Sequence, residues 1–80
     1  MNYEHMQFIC DLAMHTCESM ETGDVTDEAD LIGPEPWYFV PPSEQRHVFV
    51  RPLAMLVAQG KLPLKFAGYD SKQRVLYQKI

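Results

Sequence analysis

The first half of this 80-residue sequence contains no lysine and no arginine. Residues 1–40 hold nine acidic residues, whereas residues 41–80 hold seven basic and two acidic ones. The halves therefore carry formal charges of −9 and +5, which add to the net −4 of the chain. A sign asymmetry between halves indicates an interaction surface, although it does not identify the partner.

Long apolar runs and a basic N-terminus are also missing. The longest apolar run, LAMLVA at 53–58, is far shorter than a membrane-spanning segment. Glu4 precedes any cation, so the start of the sequence lacks the basic region of a signal peptide. We therefore expect a cytoplasmic protein with no membrane partner.

Cysteine is scarce, and glycine forms no phosphate-binding loop. Cys10 and Cys17 lie seven positions apart, which is about 10.5 Å along a helix axis. That separation exceeds the roughly 7 Å limit between the Cα atoms of a disulfide. We expect both residues to be free thiols on an apolar face, where neither serves as a nucleophile. No enzymatic activity is expected.

Metal-binding patterns are absent as well. The four candidate zinc ligands show neither C-x-x-C nor H-x-x-x-H spacing: His5, Cys10, His15 and Cys17. A calcium loop running from Asp24 to Glu35 would need glycine where Ala29 stands. We expect no metal and no cofactor.

Apolar residues at helical spacing predict an amphipathic helix over residues 3–20. Its opposite side carries Glu4, Asp11 and Glu18, which are spaced by seven and form one acidic ridge. A second, short helix is predicted after Thr26, a favourable N-cap residue. Gly33 marks its end, since glycine commonly follows the last helical residue.

The middle of the chain is harder to assign. Proline on both sides of residues 37–40 predicts an edge strand or an extended loop. Residues 43–59 favour a helix that is kinked or restarted at Pro52 and ends at Gly60. The alternative is a hairpin of residues 37–40 with 47–50, followed by a helix that starts at Pro52.

The C-terminal residues predict a β-hairpin. Leu62, Leu64 and Phe66 alternate with more polar positions, as in a half-buried strand. Asp70 and Ser71 are turn residues that lead into a second strand, RVLYQ. The predicted fold is α+β and a single domain over residues 1–80. It consists of an N-terminal amphipathic helix, one or two further helices, and a C-terminal antiparallel hairpin.

The acidic half predicts a contact surface for a basic protein. Such a surface is electrostatically complementary to the basic patches with which proteins hold nucleic acid. Trp37, followed by Tyr38 and Phe39, supplies candidate aromatic anchors. The candidate partner-binding residues are Glu18, Glu21, Asp24, Asp27, Glu28, Asp30 and Trp37.

The alternative function is DNA binding by the basic half. A helix over 43–59, the junction LVAQGKLPL and a hairpin resemble the last part of a winged helix, in which a recognition helix runs into a two-stranded wing. This resemblance covers about 35 residues and implies phosphate contacts. The implied contacts are Arg46, Arg51, Lys65, Lys72 and Arg74.

The short length, acidic patch and absence of catalytic motifs are similar to those of small phage-encoded inhibitors, including anti-CRISPR proteins. Many of these proteins occlude the basic surfaces of nucleic-acid-handling complexes. The resemblance is one of general type and assigns no residue. A third interpretation is that the two halves neutralise each other, within one chain or between copies.

Overall fold

A computed structural model describes residues 3–80 of the chain, with five α-helices and three strands. The helices are α1 Tyr3–Glu18, α2 Glu28–Ile32, α3 Pro34–Phe39, α4 Pro42–Gln45 and α5 Arg51–Ala58. A π-helical turn, Arg46–Val50, joins α4 to α5. The strands are β1 Val25–Asp27, β2 Leu64–Tyr69 and β3 Val75–Lys79. The predicted α+β class is confirmed, with more helical segments than the one or two expected.

Helix α1 confirms the predicted N-terminal helix and ends two residues before the predicted boundary. Ile9, Ala13 and Cys17 are buried along one stripe, which packs against α2 and α5. Burying an apolar stripe stabilises the helix more than its intrinsic propensity does. None of the described helices is long and apolar enough to cross a membrane.

The short strand β1 was not predicted, and it changes the start of the second helix. Thr26, the predicted N-cap, lies in β1 opposite Tyr77. The N-cap is Asp27, whose carboxylate accepts a hydrogen bond of 2.8 Å from the backbone N–H of Asp30. Strand β1 pairs with β3, which makes β3 the central strand of a sheet in the order β1-β3-β2.

Residues 34–39 form helix α3, so the predicted extended segment is wrong. Pro34 and Pro36 lie in the first helical turn, where a backbone N–H has no intrahelical partner and proline costs little. Gly33 adopts φ +101°, a conformation that favours glycine, and turns the chain between α2 and α3. Its carbonyl accepts a hydrogen bond of 3.0 Å from the N–H of Trp37.

Residues 42–58 form a continuous helical run, here called the long helix, which confirms the kinked helix and excludes the alternative hairpin. Pro52 has no N–H to donate to Val48, four residues earlier. The chain widens into the π-helical turn just before this proline, and the N–H of Arg51 reaches the carbonyl of Arg46. His5 Nε2 of α1 lies 2.8 Å from the Val48 carbonyl oxygen.

The C-terminal hairpin is confirmed, with β2 and β3 antiparallel. An irregularity between Phe66 and Tyr69 gives β2 an extra residue relative to β3. Leu64 is buried as expected, but Phe66 is 57% exposed, so the prediction that it faces the core is wrong. Its ring contacts that of exposed Tyr69 edge to face, with the ring centroids 5.5 Å apart.

The core lies between α1, the long helix and the inner face of the sheet. Trp37 stacks on Phe49 with ring centroids 5.6 Å apart, which joins α3 to the long helix. The buried hydrophobic residues are Ile9, Ala13, Cys17, Ala29, Leu31, Ile32, Trp37, Phe49, Leu53, Leu56, Leu62, Leu64 and Tyr77. They form one cluster, which agrees with the small hydrophobic core expected of a chain this short.

We expect Phe49→Ala to lower the free energy of unfolding by about 3–5 kcal/mol, because it removes a buried ring and leaves a cavity beside Trp37. Phe39→Ala is the matched control, since Phe39 is 89% exposed and its loss should cost less than about 0.5 kcal/mol. Urea denaturation followed by circular dichroism measures both values. Equal losses in the two variants would contradict the assigned core.

Candidate functional site

Only part of the predicted partner-binding set lies on the surface. Four of them are exposed: Glu18, Glu21, Asp24 and Asp30. Asp27 and Glu28 instead serve the fold, and Trp37 is 4% exposed in the core. The aromatic side chains left on the surface of α3 are Tyr38 and Phe39, at 66% and 89% exposure.

Asp27 connects the acidic half to the basic half. Besides capping α2, its carboxylate lies 3.4 Å from the guanidinium of Arg74, which is 47 residues away in the chain. This is the one ion pair between side chains that the described residues contain. Mutual neutralisation of the halves within one monomer is therefore present, but it is local.

Glu28 follows Asp27 and is 5% exposed. Its Oε1 accepts a hydrogen bond of 2.9 Å from the backbone N–H of Val75. Asp27 pairs with Leu76 at the end of β1, so Val75 is the next residue along β3 and has no further partner strand on that side. The carboxylate satisfies this N–H at the position where the chain turns from β1 into α2.

The second oxygen of Glu28 has no partner. Oε2 is buried and makes no hydrogen bond with any group in residues 3–80. Burial raises the pKa of Glu28, although the Val75 N–H opposes that shift. Burial and the nearby Glu28 carboxylate also raise the pKa of Tyr77 to about 12. A buried, half-satisfied carboxyl group is costly to the fold and therefore marks a candidate functional position.

Arg74 is held by the turn of the hairpin. Oδ1 of Asp70 accepts hydrogen bonds from the backbone N–H groups of Lys72 and Arg74, at 2.8 and 2.9 Å. Gln73 takes the left-handed conformation, with φ +67°, inside this turn. Tyr38 and then Asp27 raise the pKa of the Arg74 guanidinium, so it remains charged.

The predicted DNA-binding residues are more accessible than the acidic set. Arg46, Arg51, Lys65 and Lys72 are exposed, and the side chain of Arg74 is 29% exposed. Their backbone positions are the long helix and the hairpin, as the winged-helix resemblance implies. Arg74 differs from the other four because it is paired with Asp27.

A cleft of about 340 Å³ brings both predicted sets together. Its lining includes Glu28 and Trp37 from the acidic half and Arg46 and Arg74 from the basic half. Sequence reasoning missed the remaining side chains, because only the sheet order brings the end of β1 beside the hairpin turn. The missed residues are Pro42, Gln45, Val50, Tyr69, Gln73 and Val75.

The cysteine and histidine candidates do not come together. Cys17 is 1% exposed, and burial raises the pKa of its thiol, so little thiolate forms at neutral pH. Cys10 is a half-buried free thiol beside an open cavity of about 240 Å³ between α1 and α5. Within residues 3–80, no three His, Cys, Asp or Glu side chains are grouped closely enough to hold a metal ion. Residues 24–35, which were rejected as a calcium loop from their sequence, contain β1, α2 and the start of α3.

Comparison with protein-family models, curated proteins and solved structures finds no match to this chain.

We expect the free energy of unfolding of Glu28→Gln, relative to the wild type, to increase as the pH rises. The pKa of Glu28 is raised in the folded state, so its contribution to stability is fully present below its ordinary value of 4.5. That contribution is lost as the pH rises through the raised pKa, and glutamine has no such loss. Urea denaturation at several pH values between about 4 and 8 measures the difference.

Glu18→Gln is the control for this measurement, because Glu18 is an exposed glutamate at the end of α1. Its stability difference from the wild type should change much less over the same pH interval. If the stability difference between Glu28→Gln and the wild type did not change with pH, that result would contradict the assignment of Glu28 as a desolvated carboxyl group.

Proposed function

We propose that this chain is a non-enzymatic binding protein that contacts the phosphates of duplex DNA through its long helix and C-terminal hairpin. The observation that carries the proposal is the cleft in which Arg46 of the long helix meets Gln73 and Arg74 of the hairpin. In this arrangement a helix and a hairpin loop present basic side chains next to each other, as a helix–wing binding surface requires.

The order of elements supports the same proposal. A helix, a strand, further helices and a hairpin follow one another, and the first strand pairs with the last one. This order resembles that of a winged-helix domain, in which α2 would take the place of the second helix. The long helix departs from that arrangement because Pro52 and the π-helical turn interrupt it.

The exposed face of the long helix is suited to close approach. His47, Arg51, Ala54 and Ala58 are exposed and recur at helical spacing, while Leu53 and Leu56 on the other side are buried. Small and basic side chains on one face let a helix come near a phosphate backbone. The acidic helix α1 packs against α2 and α5, so it is not an element of the helix–hairpin surface. Arg46, Arg51, Lys65 and Lys72 form no ion pair among the described residues and are the main phosphate contacts. Arg74 pairs with Asp27 but keeps a partly exposed side chain, so it adds positive charge beside Arg46.

We expect Arg51→Ala and Lys72→Ala each to weaken binding to labelled duplex DNA. Each should also reduce the slope of log K against log salt by about 1, because each removes one phosphate contact. Fluorescence anisotropy at several salt concentrations measures both quantities. The change should be similar for unrelated DNA sequences, because phosphate contacts do not read bases.

Lys79→Gln is the matched control, because Lys79 lines a different cavity beside Met14, Cys17 and Pro63. It should leave the salt slope unchanged. Absence of wild-type binding at low salt would refute the proposal, as would equal effects of all three substitutions.

A second candidate function is contact with a basic protein, and the exposed carboxylates favour it. Glu18, Glu21, Asp24 and Asp30 remain on the surface, and none of them forms an ion pair among the described residues. This is the surface that an inhibitor of the small phage-encoded type would use to occlude a nucleic-acid-binding protein. Asp27, Glu28 and Trp37 are not part of it, since the fold uses them.

We expect the double variant Glu18→Lys, Glu21→Lys to lose any basic protein partner that the wild type captures from a cell extract. Charge reversal at two exposed positions replaces attraction by repulsion and leaves the core unchanged. Arg51→Ala serves as the control and should retain the partner. A partner lost only in Arg51→Ala would contradict this second function.

A further inference from the structure

We propose that the cleft beside Glu28 is a binding site for a guanine base. This inference goes beyond the duplex contacts proposed above, because it concerns a ligand inside the cleft and not phosphates on the surface. It rests on the buried carboxyl oxygen Oε2 of Glu28, which has no hydrogen-bond partner among residues 3–80. Glu28 is 5% exposed and lines a cleft of about 340 Å³.

The unpartnered oxygen requires a ligand with an N–H or O–H group. An ionised carboxylate only accepts hydrogen bonds, and its Oε1 already accepts one from the Val75 N–H. Leaving a buried acceptor without a donor costs stability, so a ligand that supplies the donor gains that free energy on binding. The nearest described backbone and side-chain donors do not supply it.

The same cleft also requires hydrogen-bond acceptors on the ligand. Arg46 and Arg74 line it with guanidinium groups, which only donate. The amide of Gln73 is a further donor there, whereas that of Gln45 already donates to the carbonyls of Trp37 and Val40. The ligand therefore carries donors on one edge and acceptors on another.

Shape and aromatic lining narrow the class to a flat ring system. Trp37 and Tyr69 are the aromatic residues that line the cleft, and its volume is near the lower end of small-molecule sites. Guanine has N–H donors at N1 and N2 on one edge and acceptors at O6 and N7 on the other. The carboxylate accepts hydrogen bonds from one edge of the ring, and the arginines donate to the other edge. This arrangement therefore matches guanine better than adenine, which has no carbonyl acceptor.

Access to Oε2 requires a local movement, because the atom is closed off in this conformation. Arg46 and Gln73 both line the cleft and are exposed, so their side chains can rotate without moving the core. The base can come from a free guanine nucleotide or from an unstacked position in a single strand. Both sources present the same ring to Glu28.

The test is a fluorescence titration of the full chain with GMP and with AMP. Trp37 is the only tryptophan in the sequence and lines the cleft, so it reports occupancy directly. We expect GMP to change the Trp37 emission and AMP to bind at least about tenfold more weakly, as expected for loss of one well-formed base contact. Absence of a saturable GMP signal would overturn the proposal.

Two variants test the assigned contacts. Glu28→Gln keeps the size of the side chain but replaces one acceptor oxygen by a donor, and we expect it to bind GMP at least about tenfold more weakly. Arg46→Ala is a second variant at an exposed position, and it should weaken GMP binding without disturbing folding. Lys79→Gln should bind as the wild type does. Unchanged affinity in both cleft variants would refute the site.

Single-stranded oligonucleotides distinguish the two sources of the base. A thymine-rich strand with one guanine that binds more tightly than GMP, and depends on Glu28, assigns the cleft to single strands. GMP binding with no gain from the strand assigns it to free nucleotide. Because no duplex is used, failure here leaves the salt-dependent duplex measurement untouched, and failure of that measurement leaves this one untouched.

Discussion

The turn from strand into helix at Asp27 and Glu28 fixes the relation between the sheet and the helices. Asp27 ends β1, caps α2 and pairs with Arg74 of the hairpin. Glu28 supplies the acceptor that the Val75 N–H needs where β1 stops. Two adjacent carboxylates thus hold three elements together. The cleft exists because this junction places the start of α2 beside the hairpin turn.

The secondary-structure elements whose sequence signals lie within a few residues were predicted correctly from local patterns. The apolar stripe of α1 and the alternation around Leu64 predicted the first helix and the hairpin. The prediction of an extended segment at residues 37–40 failed, because the prolines before it are also favourable in the first turn of a helix. Strand β1 was missed since three residues carry no periodicity, and their pairing partner, around Tyr77, lies about 50 positions away.

The candidate site was only partly predictable for a related reason. Sequence sorting by charge placed Glu28 and Arg46 in opposing hypotheses, one for a protein partner and one for DNA. The fold instead brings both residues to the same cleft. Net charge and its distribution along the chain could not show this, because the outcome depends on the sheet order. Acidic and basic residues that are separated along the sequence therefore lie together in this cleft.

The contact between His5 and the Val48 carbonyl helps the long helix to continue past Pro52. Considered alone, residues 42–58 would favour two short helices separated at Pro52, since proline is preferred at a helix start. The carbonyl left without its usual donor is met by a side chain 43 positions away. The helical run through Pro52 is therefore supported by the docking of α1 as well as by its own backbone. A segment that looks local in the sequence depends here on a residue far away in the chain.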